Sequence, residues 1–172
     1  MKKSGLIALL SATLLFTSCS ENYFEYTNKI FTIVDGSRVE MITKETLTLQ
    51  TNNRFRILNL SYKYFPASVP IGECTVNIQQ KIEGSLEKTN VANNYKLTAQ
   101  SGSLKLKFEG DGAFTYKSAM KESLIKQLNF QFSNEDWNKL LNDQEVGYYY
   151  LEPPVTYVKV DNTYKTFVLY EA

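Results

Sequence analysis

Apolar and polar residues alternate along most of the chain after residue 30. One such run begins at Val39, and its apolar residues fall at odd positions: Val39, Met41, Leu47 and Leu49. A second covers residues 75–86, where Val76, Ile78, Ile82 and Leu86 share one face. Because successive side chains of a strand point to opposite sides of the sheet, this period of two predicts β-strands with one buried face.

Two segments have the pattern of β-hairpins. Leu47–Ile57 has two alternating arms around Asn52-Asn53, and Leu106–Tyr116 repeats the pattern around Asp111-Gly112. Asparagine, aspartate and glycine tolerate the positive φ that tight turns require. Asn93-Asn94 and residues 100–103 are predicted to turn the chain as well. The sequence therefore predicts an all-β fold, mainly an antiparallel meander that forms a barrel or a sandwich.

The period changes near residues 118–143. Met120, Leu124 and Leu128 lie four residues apart, which is helical spacing. Ser133 is a candidate N-cap, and Glu135 and Asp136 would complement the first turn of a helix whose apolar face holds Trp137, Leu140 and Leu141. Strand patterns return at residues 148–170. We therefore predict one short helical insertion near residues 118–143, within a single β-rich domain of residues 30–172.

The first nineteen residues have a different character. Lys2 and Lys3 precede an apolar run from Leu6 to Phe16, which is shorter than the roughly 20 apolar residues of a membrane-spanning helix. A basic start, an apolar run of about 7–15 residues and small residues before the cleavage point are typical of a secretory signal peptide. Residues 1–18 are therefore predicted to be removed, which leaves 154 residues.

Phe16-Thr17-Ser18-Cys19 resembles the lipobox of bacterial lipoproteins, in which diacylglycerol alkylates the cysteine thiol and the chain is cut just before it. The resemblance implies that lipidated Cys19 begins the mature protein. Residues 19–29 are predicted to be a tether to the domain, although Tyr23, Phe24 and Tyr26 could pack. Ser20 is similar to the residue that sorts lipoproteins to an outer membrane. We expect an exported protein of the bacterial cell envelope, anchored by acyl chains, with the outer membrane favoured; secretion with an unmodified Cys19 is the alternative.

The hairpins Leu47–Ile57 and Leu106–Tyr116, the second with the residues Glu-Gly-Asp-Gly-Ala-Phe-Thr-Tyr, resemble those of small bacterial lipocalin-like lipoproteins. The resemblance covers roughly residues 46–116. It implies a calycin-type β-barrel that holds a ligand.

The amino-acid composition limits the functions that the protein is expected to have. The chain has no histidine, which removes the usual proton acceptor near neutral pH and the commonest metal ligand. Removal of Lys2 and Lys3 leaves 17 of the 19 basic residues, against 18 acidic ones. The sequence has no basic patch of the kind that binds nucleic acid. No nucleophile motif or phosphate-binding loop occurs. We expect no catalysis, metal or cofactor, and a hydrolase that uses two carboxylates is a lesser alternative because such pairing is spatial.

Cysteine and aromatic residues supply the remaining candidates. Cys74 begins a strand-like run, which favours burial as a small apolar side chain, although a disulfide with Cys19 would exclude lipidation. The chain has 12 tyrosines and 10 phenylalanines, and aromatic rings recognise apolar and sugar faces. The candidate binding residues are Trp137, Tyr148, Tyr149 and Tyr150, of which the tyrosines would alternate between the two faces of a strand.

Two functional hypotheses follow. The first is a non-catalytic, lipid-anchored module whose barrel binds an apolar or glycan ligand, with the helical insertion over one end. The second is an interaction subunit that docks to another envelope protein.

The lipobox predicts that membrane-extracted protein begins at Cys19 and carries acyl chains. Intact-mass measurement checks this, and an unmodified N-terminus at any other residue would contradict it. Cys19→Ser should leave an uncleaved or soluble species, because no thiol is then available for alkylation.

Overall fold

The computed structural model describes residues 22–34, 37–67, 72–117 and 132–170. Strands occupy most of these residues, together with helix α1 (Asn134–Leu141) and a helical segment at residues 113–117. The strands are β1 (Asn22–Val34), β2 (Ser37–Leu49), β3 (Arg54–Phe65), β4 (Cys74–Lys88), β5 (Asn94–Glu109), β6 (Val146–Tyr149), β7 (Val155–Asp161) and β8 (Thr166–Tyr170).

Strands β1 to β5 form an antiparallel meander in which each strand pairs with the next. The free edge of β5 then pairs with β7 along residues 94–98 and with β6 along residues 101–104. β6 and β7 therefore occupy one strand position, interrupted by residues 150–154. Pro153-Pro154 accounts for the interruption, because proline has no N–H for the ladder.

The barrel closes through β8, which pairs antiparallel with β7 and parallel with β1. The parallel seam has one paired position, Glu25 opposite Thr166, and the Glu25 N–H donates to the Lys165 carbonyl at 2.8 Å. The strand direction alternates from one position to the next around the barrel. Because the number of positions is seven, which is odd, the first and last strands run in the same direction and their pairing has to be parallel. The closed seven-stranded barrel confirms the predicted all-β class and selects the barrel over the sandwich.

A β-bulge divides β5 into two halves. Ser101 pairs with Glu83 and Ala99 pairs with Gly84, so Gln100 is an extra residue without a partner on β4. An extra residue reverses which side chains face inward. The odd positions Leu97 and Ala99 are buried before the bulge, and even positions are buried after it: Leu104, Leu106 and Phe108.

Two apolar clusters fill opposite ends of the interior. The rim cluster consists of Phe24, Leu47, Phe55, Leu86, Leu97, Ala99, Val158, Val160 and Phe167. The helix-side cluster consists of Cys74, Val76, Leu104, Leu106, Phe108, Trp137, Leu140 and Val146. On β4 the predicted inner face is confirmed, because Val76 and Leu86 are buried and Ile78 and Ile82 are half-buried.

Helix α1 covers the inner faces of β4, β5 and β6 on the helix side. Its predicted start is confirmed, because Ser133 Oγ accepts a hydrogen bond from the Asp136 N–H at 3.0 Å and caps the helix. Ser133 Oγ also donates to Asp136 Oδ2 at 2.7 Å, which lowers the pKa of that carboxyl. Trp137 and Leu140 are buried in the helix-side cluster. Met120, Leu124 and Leu128 lie outside the described residues.

The structure corrects the predicted tether. Residues 22–29, assigned to it from the sequence, belong to β1, and Phe24 is buried in the rim cluster opposite Leu47. The Phe24 ring provides apolar area that packing inside the barrel removes from water. Residues 1–18, Cys19 and the rest of the tether up to residue 21 lie outside the described residues.

Two predicted turns were also wrong. Residues 100–103 do not turn the chain, because Gln100 is a bulge within the continuous strand β5. The second hairpin, Leu106–Tyr116, is also absent: β5 ends at Glu109, Gly110 adopts a φ of 106°, and residues 113–117 are helical. Ala113 and Tyr116 pack against the helix-side cluster instead of extending a second arm. The hairpin Leu47–Ile57 is confirmed, with Asn53 at a φ of 56°.

Across the described ranges, no helix has the length and apolarity that crossing a membrane requires.

Gly84, opposite the bulge, has no room for a side chain. A Cβ there would meet the Thr98 carbonyl oxygen, and it would lie 2.9 Å from both Ala99 Cα and Phe55 Cε1. Gly84→Ala should lower the free energy of unfolding by about 1–3 kcal/mol, because the backbone has to shift. Urea denaturation measures the change.

Gly147→Ala is the matched control, since the nearest atom to its Cβ is the Gly102 carbonyl oxygen at 3.8 Å. Its effect should stay within about 0.5 kcal/mol. Equal stability losses in the two variants would contradict the tight packing at the bulge.

Candidate functional site

The tyrosines at residues 148–150 alternate between the two faces of the sheet, as predicted. Tyr148 and Tyr150 are half-buried, and their rings meet edge to face with centroids 5.4 Å apart. The Tyr148 hydroxyl accepts a hydrogen bond from Gln80 Nε2 at 2.9 Å and lies 3.5 Å from the Tyr150 hydroxyl. Burial raises the pKa of Tyr148. Tyr149 faces outward and is 83% exposed.

Trp137 lies in the helix-side cluster and is 5% exposed. In this conformation a ligand in solvent does not reach its ring. Of the four sequence-predicted binding residues, Tyr149 is therefore the one with a broadly accessible side chain. The four do not form one surface, because two tyrosines face inward, one faces outward and the tryptophan is enclosed.

Polar side chains lie on the inner faces of β2 and β3, and we call Thr43, Glu45, Asn59 and Ser61 the interior polar layer. Asn59 Nδ2 donates to Glu45 Oε1 at 2.9 Å, and Ser61 Oγ donates to Asn59 Oδ1 at 3.0 Å. The Thr43 and Ser61 hydroxyl oxygens are 3.4 Å apart. Burial raises the pKa of Glu45 above its usual range, because desolvation disfavours the carboxylate.

The parallel seam opens next to this layer. Beyond the pair Glu25–Thr166, β1 and β8 share no further paired position. A cleft of about 290 Å³ lies there, and we call it the seam cleft. The rings of Tyr26 and Phe167 lie 6.4 Å apart, tilted by 59°. The seam cleft is lined by Tyr26, Glu45, Phe167, Val168 and Leu169.

A larger cleft of about 450 Å³ lies on the outside of strands β2 to β5. Two successive rows of outward side chains cross these four strands in register. The first row is Ile42, Tyr62, Asn77 and Lys107, and the second is Lys44, Leu60, Gln79 and Lys105. We call these eight side chains the outer four-strand surface.

Charge on this surface has one sign. None of its eight residues is acidic, and lysines stand at both edges, on β2 and on β5. Lys44 pairs with Glu25 at 3.0 Å, and Lys107 pairs with Glu109 at 2.7 Å. Lys105 forms no ion pair with any described residue. The surface thus combines apolar and aromatic area, two amides and three lysines, of which Lys105 lies within electrostatic range of Glu145.

Other chemistry is sparse in the part of the chain that the structure describes. No three His, Cys, Asp or Glu side chains there are grouped closely enough to hold a metal ion. Cys74 is a free thiol, fully buried as predicted, and burial raises its pKa. Among the side chains described on the inner faces of the strands, Glu45 is the one carboxylate. Among these described side chains, no second carboxylate stands beside it to form the pair that glycoside hydrolysis uses.

Comparisons with models of known protein families, with curated protein sequences and with solved structures found no match.

Sequence reasoning missed both clefts. On the outer face of β3, the even positions from Leu58 to Tyr64 are all apolar or aromatic, and Ile42 stands opposite Tyr62 on β2; this was the available signal for the outer four-strand surface. Glu45 stands at an inward position between Met41 and Leu47, so it was detectable as an acid on an apolar face. The residues that line each cleft come together only through the pairing of strands in the folded barrel.

Glu45→Gln should stabilise the protein at neutral and higher pH. The folded-state pKa of Glu45 is raised, so the ionised carboxylate costs stability as pH rises through that pKa; below the unfolded pKa this cost is absent. Glutamine carries no charge and still offers an oxygen to Asn59 Nδ2. Urea denaturation at pH 8 and pH 4 should show a larger gain at pH 8.

Glu25→Gln serves as the control, since Glu25 faces outward and pairs with Lys44. It should give no gain at pH 8. An equal gain from Glu45→Gln at both pH values would contradict the argument.

Proposed function

We propose that this protein is a non-catalytic, lipid-anchored protein of the bacterial cell envelope whose barrel binds a glycan on its outer four-strand surface. The observation that carries the proposal is the register of that surface. Aromatic, amide and lysine side chains from four strands lie side by side in two rows.

Each kind of side chain there suits a different part of a sugar. The ring of Tyr62 and the aliphatic groups of Ile42 and Leu60 offer apolar area to the C–H face of a sugar ring. Asn77 and Gln79 carry both hydrogen-bond donors and acceptors, as hydroxyl groups require. Lys105 supplies a positive charge for an acidic substituent.

The size of the cleft supports a ligand of more than one sugar ring. Four strands spaced about 4.8 Å apart span roughly 14 Å. The volume of about 450 Å³ is also in the range of small-ligand sites, which is about 300–1,000 Å³. Because the residues stand on paired strands, their spacing is fixed before the ligand arrives, which lowers the entropic cost of binding.

The outer surface is favoured over the interior as the place for this ligand. Apolar side chains of the rim cluster and of the helix-side cluster occupy the two ends of the interior. A lipocalin-like relationship belongs to the proposal and is supported by the closed barrel. It would, however, differ from lipocalins in strand number, since these have eight strands.

The lipid anchor rests on the sequence. Removal of residues 1–18, acylation of Cys19 and location at the outer membrane are supported by the lipobox pattern and by Ser20. At least two acyl chains hold a protein stably on a bilayer, whereas one binds marginally.

Docking to another envelope protein is the second candidate function. Leu151 is 99% exposed and Tyr149 is 83% exposed, next to Pro153-Pro154. Large apolar side chains on a restrained segment cost little conformational entropy when a partner covers them. This observation favours a protein contact at residues 149–154, away from the outer four-strand surface.

Binding of the full, acylated protein in detergent to immobilised acidic and neutral oligosaccharides tests the glycan proposal. The protein should bind acidic glycans. Tyr62→Ala should weaken binding at least tenfold, and Lys105→Gln should weaken binding to acidic glycans more than to neutral ones. Tyr149→Ala, which removes an exposed tyrosine elsewhere, should leave affinity within twofold.

Two results would overturn the proposal. Failure to bind any glycan is the first, and equal losses from Tyr62→Ala and Tyr149→Ala are the second. If an envelope protein is retained instead, and Leu151→Ser releases it while Tyr62→Ala does not, docking becomes the function.

A further inference from the structure

The seam cleft contains a carboxylate whose surroundings lack a counter-ion. Glu45 projects from β2 toward the interior, and its bonded partner, Asn59, is a neutral amide. Within the described residues, no lysine or arginine forms an ion pair with Glu45. A half-buried carboxylate in this position is stabilised less than it would be in water.

Three lysines on the neighbouring strands or loop have other surroundings. Lys44, the neighbour of Glu45 on β2, faces outward and pairs with Glu25 at 3.0 Å. Lys165 Nζ lies 5.5 Å from the centroid of the Phe24 ring. Lys63 lies on the inner face of β3, as Asn59 does. The two residues are four positions apart, which separates their backbones by about 13 Å along the strand. None of these side chains neutralises Glu45.

Aromatic rings complete the cleft. Tyr26 comes from β1 and Phe167 from β8, so the two rings belong to the two strands that part at the seam. Tyr26 is 41% exposed, which leaves its ring open to a ligand, whereas Phe167 is anchored in the rim cluster. Ring faces attract cations, and the attraction is strongest where water is excluded.

We infer that the seam cleft binds a small organic ammonium ion, with Glu45 as its counter-ion and the rings of Tyr26 and Phe167 beside its charged group. This site is separate from the outer four-strand surface, where lysines disfavour a cation. The raised pKa of Glu45 agrees with the missing counter-ion, since a bound cation would favour the ionised carboxylate. The volume of about 290 Å³ suits a ligand of few heavy atoms.

Isothermal titration of the full, acylated protein in detergent with n-butylammonium chloride at pH 8 tests the inference. n-Butanol is the neutral probe of matched size, and it should bind at least tenfold more weakly. This comparison uses the unaltered protein, so it decides the question whether or not a variant folds. Equal binding of the two probes, or no binding of butylammonium, would overturn the inference.

Variants locate the site. Glu45→Gln should weaken butylammonium binding at least tenfold, and Tyr26→Leu should weaken it several-fold while leaving butanol binding within twofold. The matched control is Glu25→Gln, a carboxylate on the outside of the same seam, which should leave affinity unchanged. If Glu45→Gln keeps the native affinity, or if Glu25→Gln loses as much, the assignment to the seam cleft is wrong.

Discussion

The bulge at Gln100 is the constraint on which the barrel depends. Strand β5 runs the full height of the barrel and contributes to both apolar clusters, so its inward positions have to suit both ends. The extra residue changes the inward positions from odd to even, which buries Leu97 at one end and Leu104 at the other. Without it, one half of the strand would direct its leucines into solvent. The inserted residue also curves the sheet, as closure of a small barrel requires.

Sequence patterns predicted those parts of the fold that depend on local chemistry. The hairpin at Asn52-Asn53 and the helix after Ser133 follow from residues within a few positions of each other. The bulge was not predictable in this way, because Gln100-Ser101-Gly102-Ser103 has the composition of a turn and only pairing with residues 81–83 of β4 makes it part of a strand. The second hairpin failed for a related reason. Gly110 does turn the chain, but the segment after it gains more by covering the helix-side cluster than by extending β5.

The candidate sites also differ in whether local sequence or long-range strand pairing determines them. The alternation of Tyr148, Tyr149 and Tyr150 could be deduced from strand geometry alone, whereas the burial of Trp137 depends on where α1 packs. The outer four-strand surface combines residues from β2 and from β5 that are more than sixty positions apart in sequence, as are Ile42 and Lys105. The seam cleft likewise joins Tyr26 to Phe167. The first set becomes neighbours through pairing of β2 to β5 and the second through closure of the barrel, and no local pattern encodes either.

Because β1 and β8 run parallel, the start of β1 and the end of β8 point toward opposite ends of the barrel. Asn22 lies at the end that also carries the connections at residues 50–53, 89–93 and 162–165. Only Ser20 and Glu21 separate Asn22 from Cys19, and three residues span at most about 10 Å. If Cys19 is acylated as proposed, this reach keeps the Asn22 end of the barrel close to the bilayer, whereas α1 lies at the opposite end.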